Sequence, residues 1–571
     1  LTRPTSRWAV RACVTSMLAL LAACGGGDSG GKSNSPPTVP PGVQEVTIGG
    51  RISYQRVPFS AAAGRGLDYT TMVELPVRGA VVELVSAGTQ AVLRSTLTDL
   101  TGNYAFTALA SADVFIRAKA QATDPVGGGA PGSWDIRVRD NTSGNALYVL
   151  DGSVFNTGTT DQVRNLLAAS GWGGGFAGTY TGPRSAAPFA ILDTLYAATR
   201  FVLEQGNASE DFPAMDAFWS PSNRPTSTWN PGIGQIVTTS YLGSAIGSAP
   251  AGLYILGADG VDTDEYDAHV VAHEFQHYLE DRLARSDSPG GEHGLGEKLD
   301  LRLAFSEGFA NAFSAMVLAD PSYRDSFGAA QASDFGFSVE SDAATNAGWF
   351  SEASVQSIAW DLYDAANEGG DAVATGFAPM YEVFRTDLVD TRALTSIFPF
   401  VVALKARPGI PAAAVDALVA SQDIVAVTMD EFASTETNDG GGLDDVLPVY
   451  AALVLNGPQA RLCTNTSAGK DNKIGNRRFV TFSVPTQRPI TIRVQTVPDG
   501  ANPPADPDLV LFRSGLGFFD VADSSAASLE TYEQTVPAGD YIAEIYEFDH
   551  IQPVDESNPR PRTCMTITIN G

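Results

Sequence analysis

The stretch Val271-Ala272-His273-Glu274-Phe275-Gln276-His277-Tyr278-Leu279 narrows the options for this chain more than any other. Tyr266 to Leu283 contains neither Gly nor Pro, so a helix can run through it unbroken. Residues four apart on a helix share one face, one turn apart, which lets His273 and His277 grip one metal ion. Glu274 lies about 100° round the same helix, within reach of a water beside that ion. Two neutral imidazoles to hold the ion and a carboxylate base beside it are what a zinc hydrolase needs. Asp262 followed by Glu265 reads as a capping-box variant that places acid in the first turn, where the helix dipole favours it. His269 shares the helix but stands eight residues from His277, roughly 12 Å along the axis at 1.5 Å per residue. It is expected as a neighbour or outer partner of the ligands.

A third protein ligand must come from elsewhere. The metzincin pattern requires Gly at 280 and His at 283, and this chain has Glu280 and Leu283. The best candidate is Glu307, the one charged residue between Leu303 and Ala319. A lone carboxylate in an apolar helix is costly unless it is paired or bound to metal. Phe305, Phe309, Phe313 and Met316 form a core stripe with Glu307 on another side, and Gly308, Ala310, Ala312 and Ala315 let a second helix approach. Glu292, Glu297 and Asp300 compete for the role, but they lie among Gly and other charges where water can solvate them.

HEFQH with a later SEGFA helix resembles the gluzincin group of zinc metallopeptidases. The resemblance implies one catalytic zinc on His273, His277 and Glu307, Glu274 as general base, and a protein or peptide substrate. In that group an aspartate four residues after the glutamate ligand orients a ligand histidine. Here the position is Asn311, which can still accept a hydrogen bond from an imidazole. An oxyanion donor is also needed, and His293 in SDSPGGEHG and Tyr363 on a later helix are candidates. The group binds extended peptide along a sheet edge upstream of the active helix. GLYILG (252–257) is either that strand or a buried core strand.

With 571 residues the chain exceeds what one core supports, and about three or four domains are expected. Its 36 basic and 65 acidic residues give −29, which argues against nucleic acid as a partner. The excess acid suits calcium binding or extracellular solubility.

Arg3, Arg7 and Arg11 precede an apolar run from Val14 to Ala23, the pattern of a signal peptide too short to span a bilayer. Leu21-Ala22-Ala23-Cys24-Gly25 resembles a bacterial lipobox, which implies lipidation of Cys24, and Gly25 after it points to the outer membrane. No other stretch reads as long and apolar enough to cross a membrane, so the lipid would be the anchor. The protein would then face the periplasm or the cell surface. Residues 25–45 are a Gly/Ser/Pro tether. Within it, Gly27 to Gly31 imitates a serine-protease string and Gly26 to Ser33 a phosphate loop, but neither has the flanking frame it needs.

Residues 46–121 alternate with period two and are expected as a small β-sandwich. PVRGAVVELV followed by TLTDLTGNYAFTAL resembles the transthyretin-type, carboxypeptidase regulatory-like domain. Residues 122–457 hold the HEFQH helix and are expected as a mainly helical α+β zincin-like domain. It has helices at 188–205 and 355–366 and possesses short strands at 133–138 and 146–150. Asn438 to Asp445 reads as a solvated acidic turn or a calcium loop without EF-hand spacing. From residue 458 onward the period returns to two, giving a second β-sandwich. DPDLVLF and VPAGDYIAEIY resemble the secreted-peptidase C-terminal domain. Cys463 and Cys564 would sit on its first and last strands and can pair in an oxidising compartment.

The reading is a lipid-anchored zinc endopeptidase of the bacterial cell envelope. Its rival is a surface adhesion or binding lipoprotein with a structural or degenerate metal site. An intact Glu274 argues against the rival, because a structural site has no use for a base there.

Overall fold

β1 (Glu45–Arg56), β2 (Ala80–Ser86), β3 (Val92–Leu97), β4 (Asn103–Leu109) and β5 (Asp113–Asp124) follow the period-two pattern. In β4 the alternation turns Tyr104, Phe106 and Ala108 inward and the residues between them outward. β1 pairs with β4 in one sheet, while β2, β3 and β5 belong to another. Ile48, Ile52, Val82, Leu84 and Ile116 share the core to which both contribute. The computed structural model describes residues 44–62, 64–124, 132–175, 178–340, 344–365, 373–498, 504–553, 560 and 562–571. The signal peptide, Cys24, nearly all of the tether and both decoy strings lie outside them.

The second sheet runs on past the expected division after Gln121, which falls inside β5. β6 (Trp134–Asp140) pairs with β5. Helix α1 (Ala186–Phe201) then crosses over to β7 (Met215–Trp219), which lies parallel to β6, as such a crossover requires. β8 (Ser240–Leu242) and β9 (Gly252–Ile255) finish the sheet, with order β8-β9-β7-β6-β5-β2-β3 along its main path. GLYILG is thus an interior strand, with Gly252 to Ile255 all buried, and β8 is the edge. Residues 186–206 are long and apolar enough to cross a bilayer by length and composition, which the sequence reading missed. In the fold they are core: Phe189, Ile191, Leu192 and Leu195 are buried among the sheet's residues.

β10 (Asp262–Thr263) comes next, followed by α2 (Ala268–Leu283) and α3 (Leu301–Leu318). The capping-box expectation at Asp262 and Glu265 does not hold, because strand pairing claims Asp262 and the N-cap falls on Asp267. Glu265 instead forms a buried ion pair with Arg184. The polar stretch after α3 forms a hairpin of β11 (Ser322–Phe327) and β12 (Ser333–Ser338), and α4 (Glu352–Tyr363) packs on α3. Gly308 permits that approach: a Cβ there would meet the Glu352 carbonyl at 2.5 Å and Val355 Cβ at 2.6 Å.

The C-terminal region has its own apolar core between a five-stranded and a four-stranded sheet. Tyr450–Ala452 joins the five-stranded sheet, so pairing begins before residue 458. Cys463 and Cys564 stand directly opposite on the first and last strands of the four-stranded sheet and form a disulfide.

Candidate metal centre

Helical spacing places His273 and His277 on one face of α2, and α3 lays Glu307 against them. His273 Nε2 lies 3.0 Å and His277 Nε2 3.3 Å from Glu307 Oε2, and the two Nε2 atoms are 3.1 Å apart. Glu274 and Glu307 are buried, and His277 is partly exposed.

The outer contacts fix the tautomers. Asn311 spends its amide hydrogens on Glu352 Oε1 at 2.7 Å and Gln356 Oε1 at 3.0 Å. Its oxygen therefore faces His273 Nδ1 at 2.8 Å, so Nδ1 donates to it, and Nε2 is turned toward Glu307. Behind His277, Ser306 Oγ donates to Glu280 Oε2 at 2.6 Å and accepts from His277 Nδ1 at 3.3 Å. Two imidazole Nε2 atoms and a carboxylate oxygen thus converge on one small volume, the residue types that fit zinc.

Burial pushes Glu307 up. The charge of His277 and hydrogen bonds from His273, His277 and His293 outweigh it and hold the carboxyl well below its usual range. Burial likewise works against protonation of His277, but Glu307 and Glu280 raise it well above the ordinary imidazole value. For Glu274, burial prevails over the pull of His277 and His273, and its pKa is raised. Glu274 Oε2 accepts the Tyr241 N–H of edge strand β8 at 2.7 Å, which fixes that oxygen.

His293 reaches the cluster, with Nε2 3.4 Å from Glu307 Oε2 and 3.9 Å from Glu352 Oε2. Burial lowers its basicity, but the hydrogen bond and charge of Glu307 and the charge of Glu352 lift it to about 9. Its loop is held from the C-terminal region. Asn472 Nδ2 donates to the Gly290 carbonyl at 2.8 Å and the Glu292 carbonyl at 3.2 Å, and Lys473 Nζ donates to the latter at 3.1 Å. Tyr363 is elsewhere: at the far end of α4 it packs on Phe201 and Trp360. His269 is a neighbour, with Nε2 3.1 Å from the Asp320 carbonyl and its ring against Tyr323. The three competitors stand apart. Asp300 pairs with Arg302, Glu297 with Lys473, and Glu292 is exposed.

Glu280, Glu352 and Gln356 escaped the sequence reading. Glu280 follows His277 by three residues, and Glu352 and Gln356 lie one turn apart at the start of α4, so local spacing held both signals. In the acidic loop, Asp439 Oδ1 accepts the Gly441 and Gly442 N–H groups and Asp445 pairs with Arg562. Among the described residues it forms no metal-sized group.

Residues 249–396, about a quarter of the chain, match the domain family described as the mycolysin C-terminal domain. This peptidase-associated stretch runs from β9 to beyond α4 and holds His273, Glu274, His277, His293 and Glu307, with Tyr241 just outside it. The chain matches no curated protein. Among solved structures it is similar to the pre-peptidase C-terminal domain of a Bacillus anthracis collagenase, at 11% identity over 21% of this chain and 93% of that one, TM-score 0.16. It is also similar to CorA, a surface-associated copper-binding protein of Methylomicrobium album BG8, at 11% identity over 21% and 98%, TM-score 0.16. Scores this low carry no argument.

Proposed function

We propose that the chain is a zinc-dependent endopeptidase acting on proteins or peptides. The observation that supports this most is the convergence of His273 Nε2, His277 Nε2 and Glu307 Oε2 beside the Glu274 carboxylate. A zinc ion held by the three residues supplies Lewis-acid chemistry, polarising the scissile carbonyl and acidifying water. Glu274 Oε1 takes a proton from the attacking water and passes it to the leaving amine. The Tyr241 N–H keeps that carboxylate aimed while it works. His293, whose Nε2 lies 3.4 Å from Glu307 Oε2, donates from Nε2 to the oxyanion. Asn311 and Ser306 hold the imidazoles in the tautomer that presents Nε2. The free edge of β8, next to Glu274, receives extended peptide backbone. Lipidation at Cys24 tethers the protein to the bacterial outer membrane. A Cys24→Ser chain found in the membrane fraction would contradict that tether.

The test of the chemistry is Glu274→Gln in purified protein. Zinc content should stay at about one per chain, the complement of a single catalytic site. Peptide cleavage should fall by roughly 10²-fold or more, the scale of general-base catalysis. Cleavage at the parental rate would reject the reading.

A further inference from the structure

We infer that Asp262, Asp264 and Asp325 form a calcium site beside the helix that carries the histidines. Asp262 and Asp264 are two residues apart, so they share a face along β10 and its continuation. Asp262 pairs with Phe327 of the antiparallel strand β11, and continuing that register sets Asp264 opposite Asp325. One carboxylate oxygen from each of the three lies within 4.8 Å of the others.

Like charges directly across a sheet repel, and burial strengthens the repulsion. Among the described residues, no Lys or Arg forms an ion pair with any of the three. Arg184 is engaged with Glu265, Arg324 with Asp334, and Arg56 with the Tyr266 carbonyl. Each of the three also has a buried Oδ1 without a hydrogen-bond partner. Asp264 is the deepest, 3% exposed, and its other oxygen accepts from Thr239. Neighbouring acids differ. Asp267 receives the Ser326 N–H and hydroxyl, and Glu265 has Arg184. Orphaned oxygens on three converging carboxylates ask for a cation, and an all-oxygen, flexible donor set on two strands suits calcium.

The ion would fasten β10 to β11, and β11 bears Tyr323, two residues before Asp325. The Tyr323 ring lies 5.4 Å from that of His269 and 6.2 Å from that of His273. Calcium would thereby steady the wall behind a zinc ligand, although its binding does not rest on the zinc reading.

The experiment is a calorimetric titration of the zinc-carrying full chain, freed of calcium, with calcium chloride, with melting temperature followed in parallel. The parent should bind one calcium per chain and melt higher as calcium rises. Asp264→Asn should weaken binding at least about tenfold and lose the calcium-dependent rise, because an amide is a poorer ligand for a hard cation than a carboxylate. Asp262→Asn, at the less buried member, serves if Asp264→Asn does not fold. Asp439→Asn, in the acidic loop, should bind like the parent. A parent that takes up no calcium overturns the inference, as does parental binding by both Asp262→Asn and Asp264→Asn, or loss of binding in Asp439→Asn alone. Zinc content measured on the same samples reports separately on His273, His277 and Glu307.

Discussion

Within sixteen residues, from Asp262 to His277, the chain contributes to two buried polar groups of opposite electrical character. Around Glu307, one carboxylate is met by His273, His277 and His293, and the imidazoles hold it ionised. Around Asp264, three carboxylates meet with no basic side chain, and burial with the charges of its neighbours drives Asp264 well above its usual range. Tyr323 stands between the groups. Burial, then Asp325 and Asp264 on one side and Glu274 on the other, pushes its phenol up. The lesson concerns ligand chemistry. Nitrogen lone pairs with one charge suit a borderline-soft ion such as zinc, whereas converging carboxylates suit a hard one.

The contrast can be broken most forcefully at Glu307. Glu307→Ala should strip the first group of its charge, so zinc after dialysis should fall far below one per chain and activity should vanish with it. Glu307→Gln should do the same more mildly, and calcium uptake should survive in both. Metal analysis against the parent decides this, and full zinc retention in Glu307→Ala would reassign the third ligand. A smaller effect is expected at Asn311→Ala, where His273 loses only its Nδ1 partner. Roughly 10–100-fold in zinc affinity or activity is the usual cost of such a loss. An unchanged affinity and rate would show that Glu352 or water takes over the imidazole proton.

The second group should declare itself in pH. Burial chiefly, together with neighbouring charge, raises folded Asp262 to about 6 and Asp325 to about 7. The folded protein then binds more protons than the unfolded chain between roughly pH 4, the ordinary aspartate range, and pH 7. Stability is fully present below the unfolded pKa and is lost as pH rises through the folded values. Calcium-free protein should therefore lose melting temperature across that window, on the order of a few degrees. Asp264→Asn, or saturating calcium, should flatten the curve. A calcium-free parent whose melting point is level from pH 4 to 7 would show that the three carboxylates do not repel one another in the fold.

What could be read in advance follows the distance over which contacts form. His273, Glu274 and His277 are fixed by helical spacing, and Glu307 and Asn311 by one turn of an apolar helix, so local pattern suffices. Tyr241 contributes a backbone N–H, which no side-chain pattern encodes. Asp325 joins Asp262 and Asp264 across 61 residues of sequence through strand register, which periodicity does not carry. The same limit hid the fused sheet. β6 and β7 pair in parallel across a helical crossover, and a period-two pattern says where a strand is but not which strand is its neighbour. Asp262 misled as a cap because its spacing to Glu265 imitated a helix start, while strand pairing and the N-cap at Asp267 placed the helix later.

The grip of Asn472 and Lys473 on the 290–292 backbone has a temporal meaning. It is reinforced by the buried Arg302–Glu544 pair, 2.7 Å, at the start of the helix that bears Glu307. Residues 472 and 473 leave the ribosome some 180 residues after His293, and Glu544 later still. A nascent chain therefore carries its histidines and glutamates without the clamp that seats His293 beside them. The seat of His293 is therefore complete only once the distant strands have folded back, and on the proposed reading a growing or prematurely ended chain would lack it.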